Sequence, residues 1–378
     1  LVTKKNKAGD PVDPRSLWLL DKDVAFLNHG SFGACPEAVL ARQSSLRQEL
    51  EREPVRFLAR ELEGRLDEAR SALAAFLGAS PDGMVFVPNA TTGVNTVLRS
   101  LESAPGDEVL MTNHSYPACK NAVRALAAET GAAVIEADVP FPLKTPGEVI
   151  ERVLRNVTPK TRLCLIDHVT SPTGLVFPVE RIVAELQSRG VDVLVDGAHA
   201  PGMLPLNLDD LQAAYYTGNC HKWICAPKGS GFLYVREDMR DSVRPLAVSL
   251  GYGSGRKNRS SFHLEFDWVG TGDPTPYLCV PDAIDFMGSL LRGGWPALRD
   301  HNRETALNAR AKLSALMGMF PPSPDGMIGS LASIPLPDCD GAGSTAMGDD
   351  DPVHRELFET HNIEVPVMAW PDPPKRLI

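Results

Sequence analysis

From residue 84 onward, short apolar runs alternate with amphipathic stretches, and this alternation constrains the fold more than any other feature of the chain. The runs at 84–87, 108–112, 132–136, 162–167 and 191–195 are strand candidates. Between them, 92–101, 117–130, 146–156 and 179–189 carry helical patterning, and Gly190 offers a left-handed cap to the last. Repetition of strand, helix and strand at this spacing predicts βαβ units, with parallel strands covered by helices on both faces. Two further strand candidates, 213–217 and 231–235, follow without long helices. The expected fold class is α/β, with a mostly parallel seven-stranded sheet in a large domain.

Upstream, Leu58, Leu62, Leu66, Leu73, Phe76 and Leu77 recur at near-helical spacing, which predicts a long amphipathic helix packed on that domain. After Asp282 the pattern changes to helices at 284–291 and 295–316, then a Pro/Gly/Asp-rich stretch at 321–352 in which 327–336 reads as one strand. The chain therefore divides into an N-terminal segment (1–20), a large domain (21–284) and a smaller α+β domain (285–378). Its 378 residues suffice for a sizeable core. Net charge is −10, and no Lys/Arg-dense stripe offers nucleic acid a footprint. The run Asp349-Asp350-Asp351 reads as a solvated loop. Seven cysteines, with no CxxC pair, argue against a disulfide framework and for a reducing, cytoplasmic location. No apolar stretch reaches the roughly 18 residues of a membrane span. Residues 1–5 lack the start of a signal peptide, and the missing initiator Met fits a trimmed piece of a longer protein.

In an open α/β sheet ligands bind beyond the carboxyl ends of the strands, so the residues following each strand carry the functional information. After 84–87 comes Pro88-Asn89-Ala90-Thr91-Thr92-Gly93, which opens a helix; small hydroxyls and unpaired N–H groups there suit a phosphate, or else Thr91 or Thr92 simply caps the helix. After 191–195 comes Asp196-Gly197-Ala198-His199, whose carboxylate could hold a protonated heteroaromatic nitrogen. After 213–217 comes Gly218-Asn219-Cys220-His221-Lys222-Trp223, where desolvation would lower the pKa of a lysine aimed into the same crevice. An isolated Lys is ordinarily a surface residue. An anion site, a carboxylate and an amine on one rim are, however, the equipment that pyridoxal 5′-phosphate (PLP) requires. A dinucleotide fingerprint is missing, and so are GxxxxGK[ST], HExxH and GxSxG; His114, His168 and His199 are too scattered for a metal. Cys220 and Cys225 read as packing residues.

Five segments carry a family resemblance: Leu27-Asn28-His29-Gly30-Ser31-Phe32-Gly33, Asn89-Ala90-Thr91-Thr92-Gly93-Val94-Asn95, His168-Val169-Thr170-Ser171-Pro172-Thr173-Gly174, Val195-Asp196-Gly197-Ala198-His199-Ala200-Pro201-Gly202 and His221-Lys222-Trp223. With them the chain resembles the class V aminotransferase group of fold-type I PLP enzymes, in the branch containing isopenicillin N epimerase. The resemblance runs from about residue 21 to 285. It implies the fold-type I transferase architecture and a small-molecule amino-acid substrate. Lys222 would hold PLP as an imine and shuttle the Cα proton. Asp196 would pair with the pyridine nitrogen so that the ring accepts electrons, and His199 would lie near the ring. Ser171 would sit near the phenolic oxygen, and Tyr116, rather than His114, would stack on the ring. Thr91, Thr92, Asn219 and His221 would line the phosphate, with Asn219 replacing the usual Ser. Asn28, His29 and Gly30 are the substrate-binding candidates, and Thr271 would reach the phosphate of the other subunit in a homodimer.

Two departures matter. Cysteine desulfurases of this class carry a nucleophilic Cys in the small domain, whereas 363–370 here has none. The family's carboxylate-binding Arg follows a Pro-Pro pair, but Arg376 lies too close to Pro373-Pro374, which places that arginine beyond Ile378. Epimerisation is the first expectation, C–S β-elimination the alternative, transamination third, and a PLP-binding protein without turnover last. Epimerisation needs a second acid, for which Tyr116, His29 and His199 all stand open.

Overall fold

The computed structural model describes residues 13–337, 351–370 and 376–378. Its centre is a seven-stranded sheet of β1 (Met84–Val87), β2 (Glu108–Thr112), β3 (Ala133–Ala137), β4 (Thr161–Asp167), β5 (Asp192–Gly197), β6 (Tyr215–Asn219) and β7 (Gly231–Val235). The spatial order is β1-β7-β6-β5-β4-β2-β3. Strand β7 runs antiparallel to both neighbours, and the other pairings are parallel.

The central strands read as near-continuous apolar runs because both their faces are covered. Successive residues go to opposite cores. In β4, Cys164 and Ile166 join the core under α1 (Glu37–Arg52), α2 (Leu62–Leu77), α5 (Pro146–Arg155) and α6 (Val179–Gln187). Leu163 and Leu165 join the core under α3 (Ala90–Ser100) and α4 (Pro117–Thr130). The leucine stripe expected upstream is α2 together with the π-helical segment Arg56–Glu61 before it.

Three expectations change. The 213–217 strand begins two residues later, because Gln212 adopts a left-handed turn (φ 57°) and the ladder to β5 starts at Tyr215. Residues 327–336 are not one strand: a 3-10 turn ends at Met327, Ile328 makes a single bridge to Leu175, and only Pro335–Leu336 pairs with Arg376–Leu377. Asp351 is not solvated; it is buried in a two-oxygen ion pair with Arg376 (2.8 and 3.0 Å). Asp349, Asp350, Cys339, Pro373, Pro374 and residues 1–12 lie outside the described residues.

The domain division at 284/285 falls within α7 (Val280–Gly288), which precedes α8 (Gly294–Leu316). Ala25–Phe26 pairs in parallel with Ile363–Glu364, close to α9 (Pro352–His361), so chain from before the sheet joins chain from after it. Among the described residues no helix is long and apolar enough to cross a membrane.

Candidate active site

Strand parity aims the rim residues. Asp196 is the penultimate residue of β5, two positions after Leu194, so it faces α3 and α4, and the Cys119 thiol on α4 donates to its Oδ2 at 3.2 Å. The Ala198 N–H donates to Oδ1 at 3.0 Å. Burial raises the carboxyl's pKa above its usual value, an effect that these two donors and the charge of Lys222 offset only in part.

Lys222 lies three residues beyond β6. Burial lowers its pKa to about 8, partly countered by the charge of Asp196, so a fraction of the amine is neutral near pH 7. Its Nζ stands 3.0 Å from His199 Nε2. The Trp223 indole N–H points at His199 Nδ1 (3.4 Å), which makes Nδ1 the acceptor and puts the ring proton on Nε2. Burial holds the His199 pKa well below the usual value, so the imidazole is neutral. Near pH 7 His199 is thus neutral, while Lys222 is mostly protonated, and its neutral fraction can accept the Nε2–H.

The anion end is narrower than its sequence suggests. Asn89, not Thr91 or Thr92, caps α3, its Oδ1 accepting from the Thr92 N–H at 2.8 Å. The buried Asn219 accepts from the Ala90 N–H, also at 2.8 Å. With the Gly93 N–H bonded to the Asn89 carbonyl and the Thr92 hydroxyl donating to Asn89 Oδ1 (3.1 Å), the Thr91 N–H and hydroxyl carry most of what α3 offers a phosphate. Asn219 keeps its Nδ2 donor. His221 donates from Nδ1 to the Ser230 carbonyl (2.9 Å), so only a protonated ring would offer a phosphate its Nε2.

The Asn28–Gly33 turn lies against the lysine loop. A Cβ on Gly33 would fall 1.9 Å from the His221 carbonyl oxygen, and φ there is +71°, so only glycine fits. His29 Nε2 donates to the Lys222 carbonyl at 2.9 Å, and Gly30 packs beside His199. Asn28 instead donates to Glu364 at 2.9 Å. Tyr116 opens α4 half-exposed, its phenol pKa raised by burial and then by Cys119 and Asp196. His114 is committed to Thr173 and the Val139 carbonyl (2.8 and 3.0 Å), and burial takes its pKa down to about 4. Ser171 sits half-buried in the turn after β4. Thr271 is exposed and shares with Thr92 the lining of a cavity of about 410 Å3, away from Lys222. Arg376 is occupied by Asp351 and the Pro337 carbonyl.

The rim fits PLP by charge: a carboxylate for a cationic ring nitrogen, a helix N-terminus for a phosphate, and a desolvated amine for an aldehyde. Among the described residues no group of His, Cys, Asp or Glu could hold a metal ion. The profile of the family described as Aminotransferase class-V matches residues 35–318. The chain belongs to this family. Class V enzymes of this kind depend on PLP. Isopenicillin N epimerase of Amycolatopsis lactamdurans is 37% identical over 94% of this chain and 90% of its own length. A putative L-cysteine desulfhydrase of Oryza sativa subsp. japonica is 32% identical over 92% of this chain and 74% of its own. In fold, the chain is similar to a lysine variant of C-DES with glycine covalently linked to its PLP cofactor (TM-score 0.77, 22% identity, 97% and 94% of the two chains covered). The sheet and its helices are those of fold-type I.

Sequence reasoning passed over Cys119, Trp223, Ser115 and Asp167, all at this class V rim. Asp167 had a signal: it ends its strand as Asp196 stands near the end of the next, and the two are paired in register.

Proposed function

We propose that the protein is an isopenicillin N epimerase-like enzyme that inverts Cα of an amino-acid substrate, with Lys222 attaching the cofactor and moving the Cα proton. The observation that carries this reading is the buried Lys222 amine, 3.0 Å from a neutral His199 and charge-coupled to Asp196. PLP, when bound, supplies an electron sink for the charge left on Cα. Lys222 serves as the base because its pKa near 8 leaves it able both to take and to return a proton near neutrality. His199 holds a proton at Nε2 beside that amine, and Asp196 keeps a negative charge where the ring nitrogen would lie. Thr91, Thr92 and Asn219 hold the phosphate, His29 and Gly30 border the substrate, and Tyr116 is the candidate for the second acid because burial keeps its phenol protonated. Likeness to the epimerase over 94% of the chain supports the outcome at Cα.

A second reading, C–S β-elimination, has its own support. The six described cysteines outside 338–350 are all buried, and burial pushes Cys35, Cys164 and Cys279 up to about 12. No thiolate is therefore poised among the described residues to take sulfur directly. That chemistry matches a desulfhydrase rather than a desulfurase, in line with the Oryza relative.

One experiment separates the readings. L-amino acids, isopenicillin N and cysteine are incubated in deuterated buffer, followed by chiral analysis and assays for pyruvate and sulfide. Deuterium in both epimers is expected, with Lys222→Ala abolishing it and the borohydride-stable cofactor adduct. Pyruvate and sulfide without epimer would replace the first reading by the second, and a wild type that binds no cofactor would remove both.

A further inference from the structure

Strand register sets Asp167 of β4 beside Asp196 of β5 as direct partners, and parity sends both side chains to the α3/α4 face. Both residues are about 3% exposed. Two carboxylates at one buried level need cations or protons, and they are not equally provided for. Asp196 receives an N–H on one oxygen and an S–H on the other, and its charge interacts with Lys222. Asp167 has an oxygen, Oδ2, that is buried without any hydrogen-bond partner. No ion pair reaches it among the described residues; Lys120, whose charge acts on it, is bound to Glu136 and the Asn113 carbonyl at 2.8 Å each. An ionised oxygen left bare in a protein interior costs far more than a neutral one.

We infer that Asp167 is a protonated, neutral carboxylic acid in the working enzyme, a positioning residue that leaves a single negative charge, on Asp196, at the ring-nitrogen position. Its place in catalysis rests on the reading of Asp196 as the ring-nitrogen partner; its proton does not.

The groups around it point the same way. Cys119 and Cys164 lie on α4 and β4 with thiols that burial keeps neutral. Tyr216 on β6, in the core on the opposite face, is likewise held protonated. His168, next in sequence, is buried and neutral, its pKa down to about 4. The Ser115 hydroxyl, the Tyr116 N–H and Lys120 favour ionisation of Asp167, but burial and the charge of Asp196 outweigh them and raise its pKa well above the usual range. The contact with Tyr116 also links Asp167 to the residue proposed for the ring face.

The sign of the linkage follows. A folded-state pKa raised above the unfolded value means that the folded chain binds the extra proton. Stability is thus lost as pH rises above the unfolded value of about 4. Asp167→Asn removes that loss. In urea titrations of the full chain at fixed PLP, the wild-type folding equilibrium should fall about tenfold per pH unit relative to Asp167→Asn between pH 5 and 7. Infrared difference spectra of the holoenzyme at neutral pH should show a protonated-carboxyl stretch that Asp167→Asn lacks. Asp167→Thr serves if the Asn variant does not fold. A band lost in Asp196→Asn instead, or parallel pH–stability curves, would overturn the assignment. Failure of the functional reading is a different result, a chain that takes up no PLP whatever the state of Asp167.

Discussion

His199 has both ring nitrogens engaged, and this makes Trp223 more than a packing residue. Without the indole N–H the imidazole is free to carry its proton on Nδ1 and turn a lone pair toward Lys222, the arrangement that favours a charged amine. A hydrogen bond of this kind contributes about 1 kcal/mol. Trp223→Phe should therefore lower kcat by roughly fivefold with little change in KM, and shift the limb of the pH–rate profile that belongs to Lys222. A variant with an unmoved profile would show that the indole does nothing for the tautomer. Lys222, Asp196 and His199 stood out as candidates in the sequence because each lies at or just beyond a strand end in a dense motif. Trp223 was quoted in the same motif, yet its partner lies 24 residues away and only the folded loop brings them together. Cys119 was similarly hidden, since a thiol one turn into a helix has the pattern of any core residue until strand parity aims a carboxylate at it.

At the scale of elements, the seat of α3 on β6 decides whether Thr91 and Thr92 stand where a phosphate could use them. A Cβ on Gly93 would fall 2.1 Å from Thr217 Oγ1, and that hydroxyl is fixed by the Phe232 carbonyl at 2.8 Å, so the helix rather than the strand must move. Overpacking of this sort costs about 1–3 kcal/mol. Gly93→Ala should lower Tm by several degrees and, by drawing α3 away from Asn219, weaken PLP binding at least tenfold in an absorbance titration. An unchanged PLP affinity beside a lowered Tm would separate the helix seat from the site. Most element bounds were readable from periodicity; α4 matches its expected range of 117–130. The errors have physical causes. Thr91 and Thr92 had the composition of a cap, but Asn89 one turn earlier has the shorter reach to the Thr92 N–H. Residues 327–336 had strand composition, but Gly329 lies tight against Met203, and the chain there follows the large domain instead of pairing.

For the whole molecule, the open question is what covers the face that carries Thr271. Leu246, Val248, Leu250, Tyr252 and Val269 are all exposed there, Leu250 by 82%, and Leu246 and Val269 line the same cavity of about 410 Å3 as Thr92 and Thr271. Beneath the Thr271 segment, Arg259 pairs with Asp67 and Asp267, and the buried Arg70 bonds the same two carboxylates, so the face is braced rather than loose. A rigid apolar surface of this extent is costly in water and marks an interface. The homodimer that the family resemblance implies would supply its occupant, a second copy whose Thr271 would approach the phosphate end of the first. Sedimentation should accordingly give a dimer at micromolar concentration. Val248→Asp with Leu250→Asp should yield a folded monomer that binds PLP at least tenfold more weakly, because the site loses the partner's contribution. Thr271→Ala should leave the dimer intact and weaken PLP by about three- to tenfold, the worth of one hydrogen bond to a charged group. A wild-type monomer saturated with PLP would mean that each chain completes its own site, and Thr271 would then be a surface residue with no part in it.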